Sequence, residues 1–234
     1  MPNPIAPLSR RQFLGLAAGA AALGAGQSVP AEVPETSEAQ WREAAQRIHS
    51  GALGEIWHGQ VWAGVSSAPR EDVPRQASEW RLGPAAASLY APLSGLLLAT
   101  GSGFPTRVSA AGGAWSGDDT EAPDAMVVTA EFCAGHTLVL TASPTWRHGI
   151  QAVIRGDKAT LTFQNESVHV VRESRDIPQT GSPDTHQPHR LSAIRPLASD
   201  AELRRRTMTI LAAAVEACRT RTAQHFDPES GSRI

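Results

Sequence analysis

Hydrophobic and polar positions change their period along this chain, and the changes mark its elements. Trp41, Ala44, Ala45 and Ile48 recur at i, i+3, i+4 and i+7, one face of a helix that Ser37 is placed to cap. The glycines of S-G-A-L-G at 50–54 end it. Residues 55–65, E-I-W-H-G-Q-V-W-A-G-V, then alternate loosely and read as a strand. Residues 84–100 read as one short helix with Leu89, Leu93, Leu96 and Leu97 together, broken by G-S-G-F-P-T; Arg107 to Trp115 reads as a strand.

A run of alternating segments follows. Met126, Val128, Ala130 and Phe132 alternate with Val127, Thr129 and Glu131, and beyond the turn C-A-G-H, His136, Leu138, Leu140 and Ala142 alternate with Thr137, Val139 and Thr141. I-Q-A-V-I, A-T-L-T-F and S-V-H-V-V continue around R-G-D-K and Q-N-E, which predicts a meander of four or five antiparallel strands joined by short hairpins. A last helix, capped by Asp200 and reaching about Thr222, carries Leu203, Thr207, Ile210, Leu211, Ala214, Val215 and Cys218 as its apolar stripe. Arg204, Arg205, Arg219 and Arg221 fall on its solvated side. The fold class expected is α+β: an open-faced, mostly antiparallel sheet with helices packed on one face. Val127 and Val139 lie in one alternating set and Leu138 in the other, so both sheet faces carry apolar residues and the uncovered one is left to a partner. The six tryptophans, Trp41, Trp57, Trp62, Trp80, Trp115 and Trp146, are assigned mostly to core and subunit packing.

Composition narrows this little. The 234 residues are 41% hydrophobic and 19% charged, enough for one good core or two small ones. A net charge of −2 without a basic stripe argues against nucleic acid as a partner. The N-terminus changes the picture more. S-R-R-Q-F-L-G-L-A-A-G-A places the pair Arg10 and Arg11 before Phe13 and an Ala/Gly-rich apolar run, the pattern of a twin-arginine export signal. The run is too short and too small-residued for a membrane span. The expected layout is signal at 1–31, linker at 32–39 and folded domain at 40–234, with a periplasmic or extracytoplasmic location and membrane contact only through an uncleaved signal. Removal of residues 1–31 takes away two arginines and no acid, which moves the charge from −2 to −4. Export would permit Cys133 and Cys218 to pair, yet both sit in apolar patterns and are expected as two small buried residues.

Candidate chemistry is sparse. Lys158 is the single lysine and falls in a hairpin turn, R-G-D-K-A-T, where a solvated role is expected. Asp184, His186 and His189 in D-T-H-Q-P-H have the spacing of partial metal ligands, but no third or fourth ligand clusters with them, so no metal is expected. Trp146, Arg147 and His148 at a strand end could contact a sugar by stacking and hydrogen bonds, or form a solvated hairpin. His58 reads as a half-buried strand histidine, and no G-x-S-x-G elbow marks a serine nucleophile.

An ordered set of segments carries a resemblance. R-I-H-S-G-A-L-G-E-I-W-H-G-Q-V-W, E-W-R-L-G-P-A, L-L-L-A-T-G-S-G-F-P-T-R-V, A-E-F-C-A-G-H-T-L-V-L, I-R-G-D-K-A-T-L-T-F and the C-terminal A-V-E-A-C-R-T-R-T-A-Q-H-F-D-P are similar, in order, to the second domain of the Gfo/Idh/MocA oxidoreductases. The similarity covers residues 40–234. It implies an α+β domain whose open-faced sheet supplies a substrate cleft and oligomer contacts in NAD(P)-dependent sugar and cyclitol oxidoreductases. Their dinucleotide sits on a separate N-terminal Rossmann domain, and this chain is expected to begin where the second domain begins.

The resemblance also points to what is missing. No G-x-G-x-x-G follows a predicted strand, and no E-K-P carries the family's acid–base lysine. The family's G-x-H-x-x-D, counted back without gaps from Gly101, places its histidine on Ala91 and its aspartate on Ser94, neither of which can move a proton at neutral pH. The expectation is therefore no catalytic residue and no cofactor on this chain, with NAD(P) entering only through a separate partner chain. Three readings follow: a non-catalytic exported assembly or carbohydrate-binding module, a homo-oligomer through the open sheet face; a substrate-domain subunit of a split enzyme with a Rossmann-domain partner; or a non-functional, internally deleted copy of an oxidoreductase.

Overall fold

A computed structural model describes residues 38–65, 82–113, 123–146, 150–164, 167–172 and 199–234, and the structural statements below concern those residues. The first helix, α1 (Glu38–His49), buries Trp41, Ala44, Ala45 and Ile48, the face its spacing predicts. Its outer side carries the i,i+4 ion pairs Glu38–Arg42 and Glu43–Arg47. Strand β1 (Ile56–Gly64) follows. The single helix expected over 84–100 is instead two, α2 (Gly83–Ser88) and α3 (Tyr90–Thr100). Pro92 explains the break: it has no N–H to give Ser88, four residues back, and its ring would strike that carbonyl. The turn closes tightly at Leu89, whose amide bonds Ala86 O at 3.1 Å.

The remaining elements are β2 (Arg107–Gly113), β3 (Ala125–Glu131), β4 (Thr137–Ser143), β5 (Gln151–Gly156), β6 (Ala159–Gln164), β7 (Ser167–Arg172), α4 (Asp200–Thr220) and β8 (Gln224–His225). Eight strands form one open sheet in the order β7-β6-β5-β1-β4-β3-β2-β8. Every pairing is antiparallel except β1 with β4, which run parallel from His58 beside Thr137 to Gly64 beside Ser143. The α+β, mostly antiparallel architecture is as expected, but the continuous meander is not. β1 inserts between β4 and β5, so no β4–β5 hairpin exists. The alternation of each strand is a local property, whereas the neighbour it selects is decided by burial, and β1 brings Gly59, Val61 and Ala63 into the middle of the buried face.

That face is built to close tolerances. Val61, Val128, Ala130, Leu138, Leu140, Ile154 and Leu161 are fully buried, beneath Leu93 and Leu96 of α3 and Ile210, Leu211 and Ala214 of α4. A side chain at Gly59 would start 2.7 Å from Leu138 Cδ2 and 3.4 Å from Leu96 Cδ2, so α3 lies directly over β1 and β4. A Cβ at Gly95 would fall within the indole of Trp41, which packs on Phe163 at 4.4 Å between ring centres. One glycine thus lets α3 sit on α1. Helix α4 is capped by Ser199, whose Oγ accepts from Glu202 N at 3.3 Å; Asp200, the expected cap, is its first residue, where a carboxylate favours the helix dipole. Arg204, Arg205, Arg219 and Arg221 are exposed, as their positions off the stripe predict.

The β5–β6 turn is tied to the α1–β1 connection. Asp157 N bonds Glu55 O at 3.0 Å, Glu55 N bonds Asp157 Oδ1 at 2.8 Å, and Lys158 N bonds Leu53 O at 3.0 Å. Lys158 is exposed in this turn, as expected.

Candidate functional site

Three places could hold chemistry, and they lie in different parts of the fold. The first is α3. Ala91 and Ser94 stand in its first two turns, both half-buried, and the sequence Y-A-P-L-S-G-L-L-L-A-T contains no group that ionises near neutral pH. The helix buries Pro92, Leu93, Leu96 and Leu97, so its role in the fold is complete without polar chemistry.

The second place was not foreseen in the sequence. Beyond the left-handed cap Gly101 (φ +65°), Ser102 is buried and its Oγ lies 2.7 Å from Nε2 of His136, which is 4% exposed at the start of β4. Thr100 Oγ1 lies 2.6 Å from Ser102 Oγ and 2.7 Å from Leu96 O. The proton directions follow from counting. Leu96 O can only accept, so it takes the Thr100 hydroxyl proton; Thr100 then accepts from Ser102, and Ser102 accepts from Nε2–H of His136. Nδ1 of His136 is left buried with no partner among the described residues. The ring stacks on Phe132 at 4.5 Å and 4°. From the other side, Arg206 of α4 donates through Nη1 to Ser102 O at 3.0 Å and through Nε to Glu202 at 3.0 Å. Burial lowers the His136 pKa from 6.5 to about 4, so the ring is neutral at pH 7.

A serine beside a histidine invites comparison with a nucleophile–base pair. Here the geometry runs the wrong way: Nε2 carries the proton and donates it, and among the described residues no carboxylate orients Nδ1. The cluster ties the end of α3 to the β3–β4 turn and the side of α4. The one sequence signal for it was that His136 falls in phase with Leu138 and Leu140.

The third place is the sheet face opposite the helices. His58, Gln60 and Trp62 of β1 point there, in register with Thr137, Val139 and Thr141 on one side and Arg155, Val153 and Gln151 on the other. The set continues through Glu131, Thr129 and Val127 to Arg107, Ser109 and Ala111. Glu131 and Arg107 form an ion pair at 2.8 Å. The face is mixed polar and small apolar, and His58 is half-exposed on it, as expected. At its start β1 bulges between Ile56 and His58, so Trp57 turns outward as well and is 57% exposed.

The other sequence candidates fall as follows. Trp146 lies in the turn after β4, half-buried, its carbonyl and indole backing onto Gly64 at the end of β1. Arg147 and His148, Arg10 and Arg11, and Asp184, His186 and His189 lie outside the described residues. Among the described residues no three His, Cys, Asp or Glu side chains are grouped to hold a metal, and no helix is long and apolar enough to cross a membrane. Cys133 and Cys218 are both free. Cys133 is exposed at the tip of the β3–β4 turn, contrary to the buried role expected, because Phe132 and His136 take the inward positions and leave it outside. Cys218 is half-buried on α4, and burial raises its thiol to about 11, which makes it unreactive.

No protein-family model matches the chain, and no curated protein matches it in sequence. Solved structures do match its shape. One, described as a myo-inositol dehydrogenase from Sinorhizobium meliloti, has a TM-score of 0.54 and 12% identity, with 80% of this chain and 61% of that one covered. The WlbA dehydrogenase from Bordetella pertussis, solved with NADH and UDP-GlcNAcA, has 0.53 and 16%, covering 80% and 59%. An NAD-binding protein from Listeria innocua has 0.52 and 16%, covering 80% and 63%. The fold is shared with Gfo/Idh/MocA-type oxidoreductases. At these identities the likeness is one of fold, and the chain spans about three-fifths of the length of each.

Proposed function

We propose that this chain is a substrate-side domain of the Gfo/Idh/MocA type that does not transfer hydride by itself. It is exported through its Arg10–Arg11 signal to the periplasm and acts there as an assembly or carbohydrate-binding module through its open sheet face. The observation that carries the reading is the contrast between the two faces. The covered face is packed to the limit of what glycines allow, α3 holds Ala91 and Ser94 where the resemblance implies a histidine and an aspartate, and the opposite face has no helix over it among the described residues.

A bound dinucleotide needs a glycine turn that leads from a parallel strand into a helix N-terminus. The described glycine turns do not fit one: Gly101 to Pro105 leads into β2, and α3 follows directly from α2. On this reading NAD(P) enters through a separate partner chain. A second reading, the substrate subunit of a split enzyme with a Rossmann-domain partner, draws support from the three-fifths coverage of the matched structures.

The test is light scattering on the purified chain together with NADH titration and a sugar dehydrogenase assay. A stable homo-oligomer that neither binds NADH nor oxidises sugars is expected. Unaided NAD(P)-dependent oxidation of a sugar would overturn the reading, and a dinucleotide-binding chain that co-purifies and restores activity would replace it with the second.

A further inference from the structure

The end of the open face at Trp57 has features that neither the core nor the sheet requires. Trp57 and Val171, both 57% exposed, are with Ile234 the large apolar side chains left exposed among the described residues. Both belong to the same end of the sheet. The register runs from His58 to Arg155, from Arg155 to Thr160 and from Thr160 to Val171, one row across β1, β5, β6 and β7. Three strand spacings of about 4.8 Å put roughly 14 Å between the two ends of the row. Between the apolar ends stand an arginine, a threonine and a histidine.

The backbone beneath Trp57 is held firmly. The Glu55–Asp157 and Lys158–Leu53 bonds clamp the chain two residues before it. A Cβ at Gly54 would enter the Asp157 side chain, and one at Gly156 would meet the Leu53 carbonyl, so neither strand end can shift without breaking the clamp. The bulge then turns Trp57 and His58 to the same side of the strand. An exposed indole on a rigid strand is a preformed flat surface that costs little conformational entropy to use.

Resting on the carbohydrate-binding reading above, we propose that this corner binds an equatorially substituted pyranose. Its apolar C–H face lies on the Trp57 indole, and His58 and Arg155 donate to ring-edge oxygens. The row toward Val171 admits a short oligosaccharide, not a single ring alone. The chemistry fits a sugar better than a protein surface, because the two apolar side chains are separated by polar ones and make no continuous apolar patch. A sugar presents the same alternation: apolar faces with hydroxyls around the rim. The site lies on the opposite side of the sheet from α3 and is independent of Ala91 and Ser94.

The experiment is isothermal titration of the full chain with cellobiose, cellotriose, chitobiose and a uronic-acid disaccharide, alongside light scattering. Wild type is expected to bind at least one of them. Trp57→Ala should weaken that affinity about tenfold, the scale of one ring contact, Trp57→Phe should retain most of it, and Arg155→Ala should weaken it several-fold. Val171→Ser should lower affinity for the trisaccharide more than for the disaccharide. Thermal melts of the variants should match wild type, since the side chains changed are exposed. Sugar binding that survives Trp57→Ala overturns the site and leaves the carbohydrate-binding reading standing. The absence of binding to every sugar overturns both, while an oligomer seen by light scattering keeps the assembly reading. Loss of the oligomer in Trp57→Ala, with no sugar bound by wild type, assigns the indole to a subunit contact and overturns the proposal.

Discussion

Acid should loosen this fold through one residue, His136. In the folded chain burial holds its pKa at about 4, against 6.5 for an unperturbed histidine. Between those values the unfolded chain binds a proton that the folded chain does not, so stability falls as pH drops through 6.5 and stops falling below about 4. Each pH unit in the window costs about 1.4 kcal/mol, which gives a loss of about 2 kcal/mol at pH 5 and about 3 kcal/mol at pH 4. The ring is 4% exposed, so solvent screening removes little of this. Protonation would also put a second N–H on Nδ1, where no acceptor waits among the described residues. Carboxylates do not obscure the upper part of the window. Glu202, lowered chiefly by its hydrogen bond from Arg205, and Asp227, lowered chiefly by Ser230, lose their contribution only as pH falls below their ordinary values of 4.5 and 3.8. Urea unfolding followed by circular dichroism at pH 7, 6 and 5 reads the effect directly. His136→Gln keeps an N–H donor for Ser102 and removes the titration, so its stability should be nearly flat over that range. Equal pH slopes in the variant and wild type would refute the reasoning, as would a flat wild type. If the variant does not fold, the ring proton shift of His136 in the native chain serves instead: movement near pH 6.5 would be equally fatal.

Other perturbations test the packing. Gly95→Ala gains about 1 kcal/mol of helix propensity but forces a methyl into the Trp41 indole; a net loss of about 2 kcal/mol is expected from overpacking, and a raised melting temperature would contradict the α1–α3 contact. Gly59→Val should cost at least as much, about 3 kcal/mol, and should lower the melting temperature more than Gly113→Val at the end of β2, where an added Cβ has nothing within 4 Å, if α3 rests over β1 as described. Glu131→Ala removes an ion pair with Arg107 in which both side chains are more than two-fifths exposed, so denaturation should move by less than about 1 kcal/mol.

Much of this fold could be read in the sequence, because its signals are local. The alternation of Met126, Val128 and Ala130 with Val127 and Thr129 fixes which side chains are buried, and every one of those parities holds. The face of α1 follows from spacing in the same way, and the stripe of α4 does in part: Thr207, Ile210, Leu211 and Ala214 are buried, Leu203, Val215 and Cys218 are half-buried, and Met208, Ala213 and Ala217 take buried places outside it. Sheet order is not local. Nothing within β1 states that it lies between β4 and β5, or that it runs parallel to β4. The site residues divide along the same line. Ser102 and His136 are 34 positions apart and meet only when α3 and β4 pack. Trp57 stands outside because of a bulge that no periodicity announces, and Cys133 is exposed because the turn gives its inward positions to Phe132 and His136.

The division of labour within the domain follows from these contacts. α3 is held by Leu89, Leu93, Leu96 and Leu97 below and by Trp41 against Gly95, and its end is tied by Thr100 and Ser102 to His136. None of these contacts passes through Ala91 or Ser94. The contacts that hold α3 in place are thus separate from these two half-buried positions. The open face obeys a different constraint. Its central residues, such as Gln60, Val139 and Thr129, are half-buried, although no helix lies over them among the described residues. Its exposed apolar side chains, Trp57 and Val171, make no contribution of that kind to the core. Stability accounts for the covered face and for the middle of the open one, and the Trp57 corner, whose indole adds little to either, is where the proposed ligand would act.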